Sequence, residues 1–390
     1  MGATVLILGA GAVGTVVALQ LGRSRHISKI ILGDVSKQRA EAAANRVDNE
    51  KVMPSQIDAG DKPEIAKRMV GANVVINTSL PKFNLTIMEV ALGKRTHYID
   101  LASEGTYDKQ LERDEAWRRA GLTAILGMGE DPGLSNVLAR YAADDLDRVH
   151  SIRIRDGETA TSERYPLVCL FSPEVFLGEI FEPAFYYESG AFRTVEPFQG
   201  REVYPFREPV GPVPVYYVAH EETRTLPLSI GKGVRYVDFK LAIPDDTLHI
   251  LQMLKRLNLT RKAAISVGGS SIAPIDLLAK LIPSPSDISG EIQGYAALAI
   301  VVEGKRNSVA VKRELQTFLS HRDAHEKYRC SATSYLTGTP AAVAAEMLLT
   351  EEIKEPGAMT PELLDPKPFL KRILKSGIAI RDSGETLRIQ

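Results

Sequence analysis

An α/β fold, a doubly wound parallel sheet followed by an inserted mixed-sheet α/β domain, is predicted by three observations. Residues 5–14 read V-L-I-L-G-A-G-A-V-G, a short apolar run that turns directly into Gly9, Gly11 and Gly14 with G-x-G-x-x-G spacing. Apolar strands then alternate with amphipathic helical stretches as far as Asp131, the pattern of βαβ units in a parallel sheet. Beyond Asp131 the grammar changes to longer β-like runs, 150–155 and 233–242, with alternation suited to a sheet packed on one face. At 390 residues the chain exceeds what one hydrophobic core usually serves. The expected division is a Rossmann-type dinucleotide-binding domain over 1–133, a substrate-binding and dimerisation domain over 134–332, and a C-terminal segment over 333–390 that returns to the first domain.

In chain order, strand 4–8 leads through the glycines into a helix over 15–23. The first glycine allows the tight turn, the second lets backbone approach a pyrophosphate, and the third lets the helix pack on the strand. Unpaired N–H groups from Ala12 and Val13 onward face the diphosphate, so no dedicated basic residue is needed. The next strand, 29–33, ends at Asp34 and Val35, and Asp34 stands 20 residues beyond Gly14. A carboxylate there accepts from the adenosine ribose hydroxyls and repels a 2′-phosphate, which favours NAD; Lys37 and Arg39 just downstream keep NADP open. Strands 74–77, 97–101 and 123–126 follow. Ligands of such sheets lie beyond the strands' carboxyl ends, so Thr78, Ser79, Leu80, Asp100 and 127–131 become candidates. Helical stretches 38–47 and 110–120 read as packing elements. A proline-rich stretch, 204–215, reads as a loop. Near the end, Thr339 and Pro340 read as the N-cap and first residue of an alanine-rich helix.

Composition narrows the function classes. With 48 basic and 49 acidic residues the net charge is −1, which leaves no broad electrostatic case for nucleic acid or an anionic membrane. The 44% apolar and 25% charged fractions are those of an ordinary globular protein. Cys169 and Cys330 form no C-x-x-C motif, so reduced, buried thiols are expected. The longest apolar run, 295–302, is too short for a bilayer, and the first strand leaves no room for a signal core. A cytoplasmic enzyme acting on a small molecule is the expectation.

The glycine-rich start, Thr78-Ser79-Leu80-Pro81-Lys82-Phe83-Asn84, Tyr98-Ile99-Asp100-Leu101 and above all Gly129-Glu130-Asp131-Pro132-Gly133 resemble the saccharopine dehydrogenase family over nearly the whole chain. In length and layout the resemblance is nearest to lysine 6-dehydrogenases and to saccharopine and carboxynorspermidine reductases. It implies an NAD(P)-linked oxidoreductase acting on the CH–NH group of an amino acid by way of an imine, and a homodimer. The Asp131-Pro132-Gly133 motif resembles the reductases, whereas Asp34 suits a lysine-oxidising enzyme.

Hydride leaves a carbon bearing nitrogen only when the nitrogen lone pair assists, so a substrate ammonium must first lose its proton. Asp131, His220 and Asp100 are the candidates for proton handling. Capping or turn initiation weighs against Asp131, a loop role against His220, and backbone anchoring is the stronger reading of Asp100. A substrate carboxylate calls for a cation: Arg224, with Arg153 and Arg155 behind it, and Lys82; Glu130 joins the substrate group through its motif. His321 and His325 lack a third ligand at metal-site spacing, so no metal is expected. Gly268-Gly269-Ser270-Ser271 lacks a nucleophile elbow and reads as a loop. Two rivals stand beside the oxidoreductase: a transferase that keeps its NAD, as in homospermidine synthase, and a non-catalytic nucleotide-binding scaffold.

Overall fold

The computed structural model describes residues 2–103 and 105–389. The chain forms two compact units, Met1–Asp144 with Ser334–Ile378 and Arg388–Gln390, and Asp145–Thr333 with Ala379–Leu387. The first unit is built on a seven-stranded parallel sheet in the order Gly357–Met359, Thr123–Ile125, His97–Asp100, Val74–Asn77, Ala3–Leu8, Ile27–Asp34, Val52–Gln56. The order reverses between Ala3–Leu8 and Val74–Asn77, and the crevice above that pair is where doubly wound sheets hold their ligands. Val5, Leu6 and Ile7 are wholly buried, which is why this strand reads as a continuous apolar run and does not alternate. Each such side chain contributes about 1.5–3 kcal/mol by leaving water.

The five expected strands form, and two more edge the sheet. Val52–Gln56 carries Pro54 and an exposed Met53, tolerable because an edge strand needs only one ladder of hydrogen bonds. Gly357–Met359 is three residues long, too short to give a period. The stretch 110–120 is two short helices, Tyr107–Leu111 and Asp114–Ala120, separated by a tightened turn in which Arg113 N–H donates to the Gln110 carbonyl.

The cap expected at Thr339 is not where the alanine-rich helix starts. It runs Ala332–Leu349 with Pro340 inside it. Gly338 lies against Val16, where an added Cβ would come within 2.9 Å of that side chain, and the Thr339 hydroxyl accepts from Gln20 at 3.1 Å. The small and polar residues that read as a helix start thus serve contact with the helix Ala12–Gly22.

The second unit holds an eleven-stranded mixed sheet. Its centre is Tyr236–Ala242 parallel to Arg148–Asp156, with Gln293–Arg306 antiparallel on the far side of the latter and paired in turn with Val309–Ser320. Stretch 204–215, expected as a loop, is a hairpin of Glu202–Pro205 and Pro212–Tyr217. Pro205 faces Pro212 at the terminal pair, where missing N–H groups cost little. Gly268 and Gly269 are the turn of a separate hairpin, Ile265–Val267 with Ser270–Ile272, and both have the positive φ such turns demand. Cys169 and Cys330 are buried and form no disulfide; burial pushes Cys169 up to about 12. Among the described residues no helix is long and apolar enough to cross a membrane.

Candidate functional site

The nucleotide cradle is assembled from the ends of three strands. Gly9 adopts φ +112°, and a Cβ there would meet the Thr78 backbone at 2.7 Å; a Cβ on Gly14 would stand 1.9 Å from the Gly9 carbonyl oxygen. A Cβ on Gly11 would meet nothing within 4 Å. Two glycines are therefore demanded by packing and the middle one by open space, which is the space a pyrophosphate takes. Gly11 is the N-cap of Ala12–Gly22, and Ala12 and Val13 are half-buried at its exposed start. The cradle fits a dinucleotide.

Asp34 is buried at the end of its strand. Its Oδ2 accepts from Ala10 N–H at 3.0 Å and its Oδ1 from Ser36 N–H at 2.9 Å, while Arg39 approaches Oδ1 to 3.7 Å. The acid thus fixes the glycine loop and brings a guanidinium to the same point, so both features read from the sequence belong to one pair. Val35 beside it is exposed. On the next strand end, the Thr78 hydroxyl donates to the Gly9 carbonyl at 2.7 Å, and Ser79 donates through both N–H and hydroxyl to Asn77 Oδ1. Leu80 then leads into the turn Pro81–Phe83.

Asp100 is saturated with donors. Tyr98 O–H and the Gln110 amide donate to Oδ2 at 2.9 and 2.6 Å, and Gly127 N–H donates to Oδ1 at 2.7 Å. Such a carboxylate anchors, and the anchored segment runs straight into 129–133. There Gly129 N–H donates to the Pro132 carbonyl at 2.6 Å, and Gly133 has φ +135° with no space for a Cβ beside Gly129. The helix Leu134–Asp144 starts after Gly133, so Asp131 lies outside the N-cap position. Glu130 is buried, 3% exposed, with its carbonyl accepting from Ser135 N–H. Lys82 is exposed, its Nζ 5.1 Å from the Phe83 ring centroid.

In the second unit, strand alternation separates the expected residues. Asp238 pairs with Arg153 and Lys240 with Arg155, whereas Phe239 pairs with Ile154 and Leu241 with Asp156. Side chains on alternate positions face opposite sides. The His220 ring stacks on Phe239, 3.8 Å between centroids and 9° between planes. His220 and Asp156 therefore share one face, and Arg153 and Arg155 stand on the other. Both arginines are committed there: Arg155, 2% exposed, donates two bonds to Asp238 and two to Glu202, and Arg153 pairs with Glu303 at 2.8 Å. They do not back Arg224, which is exposed on the helix Glu222–Ser229.

His220 has partners that sequence reading passed over. Its Nδ1 donates to Glu222 Oε2 at 2.5 Å, and Glu222 is wholly buried. Burial pulls the imidazolium down, but the Glu222 carboxylate, helped by Glu179 and Glu221, outweighs it and pushes His220 up to about 10. The acidic surroundings thus favour the charged ring over the neutral one that proton acceptance requires. Glu158 is held well above the ordinary carboxyl range by burial and by Asp156, with Glu179 adding to the effect. The two residues after His220 were the available signal for Glu222; Glu179 and Phe239 come from distant elements and left none. His321 carries no such function: Ala332 N–H donates to its Nδ1, Nε2 donates to the Thr159 carbonyl, and burial pulls it down to about 4.

Comparison with known proteins agrees with this architecture. The carboxyaminopropylagmatine dehydrogenase of Synechocystis sp. is 27% identical over 388 residues, spanning 96% of both chains. The carboxynorspermidine synthase of Vibrio cholerae is 27% identical over 406 residues, 96% of this chain and 95% of that one. Among solved structures, saccharopine dehydrogenase (L-Glu forming) from Saccharomyces cerevisiae superposes with TM-score 0.73 at 17% identity, covering 99% and 100% of the two chains. The Legionella pneumophila homospermidine synthase in complex with NAD gives 0.69 at 16% identity, covering 98% and 91%. Residues 5–125 match the saccharopine dehydrogenase NADP-binding domain and 129–378 the saccharopine dehydrogenase C-terminal domain, so the chain belongs to the saccharopine dehydrogenase family.

Proposed function

We propose that the protein is an NAD(P)-dependent oxidoreductase acting on the C–N bond that joins a carboxylated aminopropyl arm to a polyamine. The observation that carries this reading is the dinucleotide cradle of Gly9, Gly11 and Gly14 within a chain that matches, end to end, two enzymes named for such amines. The chain's cofactor is NAD or NADP: the start of the helix Ala12–Gly22 holds the pyrophosphate, and Asp34 and Arg39 meet the adenosine ribose. When bound, the dinucleotide gives or takes hydride at its nicotinamide ring. Asp131, beyond the strand Thr123–Ile125, is proposed to handle the amine proton.

A substrate panel tests the reading. With NAD or NADP, reduced nicotinamide is followed by absorbance on adding carboxynorspermidine, carboxyaminopropylagmatine, saccharopine or lysine. Formation with a carboxylated polyamine and not with lysine or saccharopine is the expected result. Turnover of lysine or saccharopine alone would overturn the substrate class. Cofactor binding with silence toward every amine would favour retained-cofactor transfer or a scaffold.

A further inference from the structure

We infer that the first unit carries a second anion site, apart from the dinucleotide cradle, which takes a linear polyphosphate: the phosphate chain of a nucleoside triphosphate or a free tripolyphosphate. The site is a cavity of about 860 Å³ lined by the end of the helix Ala12–Gly22 and the turn after it, by the helix Ala332–Leu349 and by the helix Pro366–Lys375. Every wall belongs to the first unit. A volume of this size lies within the ~300–1,000 Å³ of cavities that hold small organic ligands.

The lining is basic. Arg23, Arg25, Lys367, Lys371, Arg372 and Lys375 stand against three acids, Glu346, Glu352 and Asp365, so with His26 neutral the cavity carries +3 in a chain whose net charge is −1. The acids are already engaged. Arg372 donates to Glu346 at 3.0 Å and to Glu352 at 3.1 Å, the Ser24 hydroxyl donates to Glu346 at 2.6 Å, and Asp365 caps its helix by accepting from Lys367 N–H at 3.1 Å. Gln20 donates to the Thr339 hydroxyl at 3.1 Å and completes a fixed polar floor. Lys367, Lys371 and Lys375 make no ion pair among the described residues, and Lys375 acts on Glu352 only at longer range.

The local sequence shows why these lysines are set apart from ordinary solvated charge. Residues 366–375 read P-K-P-F-L-K-R-I-L-K; Phe369, Leu370 and Ile373 are buried, and the three lysines, four positions apart, fall along one line about 12 Å long. The helix contains no acid. Elsewhere the chain offsets helical cations with an acid one turn away, as in Lys37–Glu41, Arg118–Asp114, Arg140–Asp144 and Arg322–Glu326. Like charges four apart repel and destabilise a helix, and an anion bound along the row relieves that repulsion. A row of ammonium point charges on the wall of a cavity matches negative charge spread along a chain of phosphates better than one compact, singly charged anion.

This cavity and the cradle lie at opposite ends of one helix. Ala12–Gly22 starts at Gly11, where the pyrophosphate space is, and ends with Gln20 and Leu21 in the cavity wall. Its 11 residues place the two sites about 16 Å apart. A polyphosphate bound here therefore leaves the dinucleotide in place. That independence separates the site from the cradle, which takes phosphate on its own account.

The test is isothermal titration calorimetry on the full chain in metal-free buffer, with the cradle saturated by NAD or NADP and with tripolyphosphate, ATP and citrate as titrants. Tripolyphosphate or ATP should bind once per chain with a Kd below about 100 μM, and the triple variant Lys367→Gln, Lys371→Gln, Lys375→Gln should weaken it by about tenfold or more. A matched triple, Lys67→Gln, Lys94→Gln, Lys109→Gln, removes the same charge from exposed positions of the same unit outside the cavity, and should change Kd by less than about twofold. Thermal melting and NAD(P) binding verify that both triples are folded. ATP binding tighter than tripolyphosphate by about tenfold assigns the site to a nucleotide, and equal or weaker binding assigns it to the phosphate chain alone. No saturable binding at millimolar titrant, binding that saturating NAD and NADP abolish, or equal losses in the two triples would overturn the inference. Citrate bound as tightly as tripolyphosphate would overturn it as well, because the cavity would then select charge and not a phosphate chain.

Discussion

Asp100→Asn separates an anchoring carboxylate from a reacting one. Asp100 is 1% exposed, and its two oxygens accept from Tyr98 O–H, the Gln110 amide, Gly127 N–H and, at 3.4 Å, Ser103 O–H. Asparagine keeps one acceptor oxygen and offers an NH2 in place of the other. If the NH2 faces Gly127, two N–H groups collide, because a backbone N–H cannot turn round. If it faces Tyr98 and Gln110, the phenol can rotate to accept, but the Gln110 amide must flip and give up the bond that its Oε1 accepts from the Thr106 hydroxyl at 2.8 Å. The second orientation is the cheaper. It weakens two charge-assisted bonds, worth about 1.5–3 kcal/mol each, to neutral ones of about 1 kcal/mol and disturbs a third. The expected destabilisation is about 3 kcal/mol, a fall in Tm of roughly 4 °C if the 390 residues unfold together. Differential scanning calorimetry and denaturant titration read the stability, and kcat/KM is measured in parallel. Anchoring predicts a clear loss of stability with kcat/KM down by less than about tenfold, whereas loss of a general acid or base costs about 10²–10⁴-fold. Unchanged stability with a fall of a hundredfold would refute the anchoring argument and return Asp100 to the chemistry.

Cofactor choice is tested at the Asp34–Arg39 pair. Asp34→Ala removes the acceptor for Ala10 N–H and the repulsion of a 2′-phosphate, so NAD affinity should fall about tenfold and the preference move toward NADP; Arg39→Ala should weaken NADP and leave NAD nearly unchanged. Equal affinities in wild type and both variants, by fluorescence titration, would remove the ribose from this pair. Asp131→Asn should lower kcat about 10²–10⁴-fold with cofactor affinity within a factor of three. A wild-type rate would leave Asp131 with the turn alone.

The legible parts of the sequence were those where one local interaction dominates. The strand Ala3–Leu8 and its three glycines could be read because burial on both faces and backbone approach each leave a residue-type signature. Val52–Gln56 and Gly357–Met359 were invisible because edge strands need neither. Gly338-Thr339-Pro340 read as a helix start because small and polar residues serve caps and close helix contacts alike. In the second unit, His220 was legible as a residue but its full set of acidic neighbours was not. The carboxylates that set its charge reach it partly from Pro173–Phe181, some forty positions upstream, and no local pattern encodes that distance. Arg153 and Arg155 failed for a simpler reason: strand parity places them on the face opposite His220.

The two units use buried acids in a common way. Asp100 is filled by Tyr98, Gln110 and Gly127, and what it fixes is the backbone leading to Asp131. Glu222, wholly buried, spends an oxygen on His220 Nδ1, and what it fixes is the imidazole ring. A carboxylate with its oxygens occupied by donors is a poor proton acceptor, because protonating it forfeits those bonds, yet it is a rigid anchor for the group beside it. Asp100 and Glu222 therefore hold in place what lies beside them, the backbone leading to Asp131 in one unit and the His220 ring in the other. The acids around His220 favour its charged ring, with Glu222 the largest contributor among them.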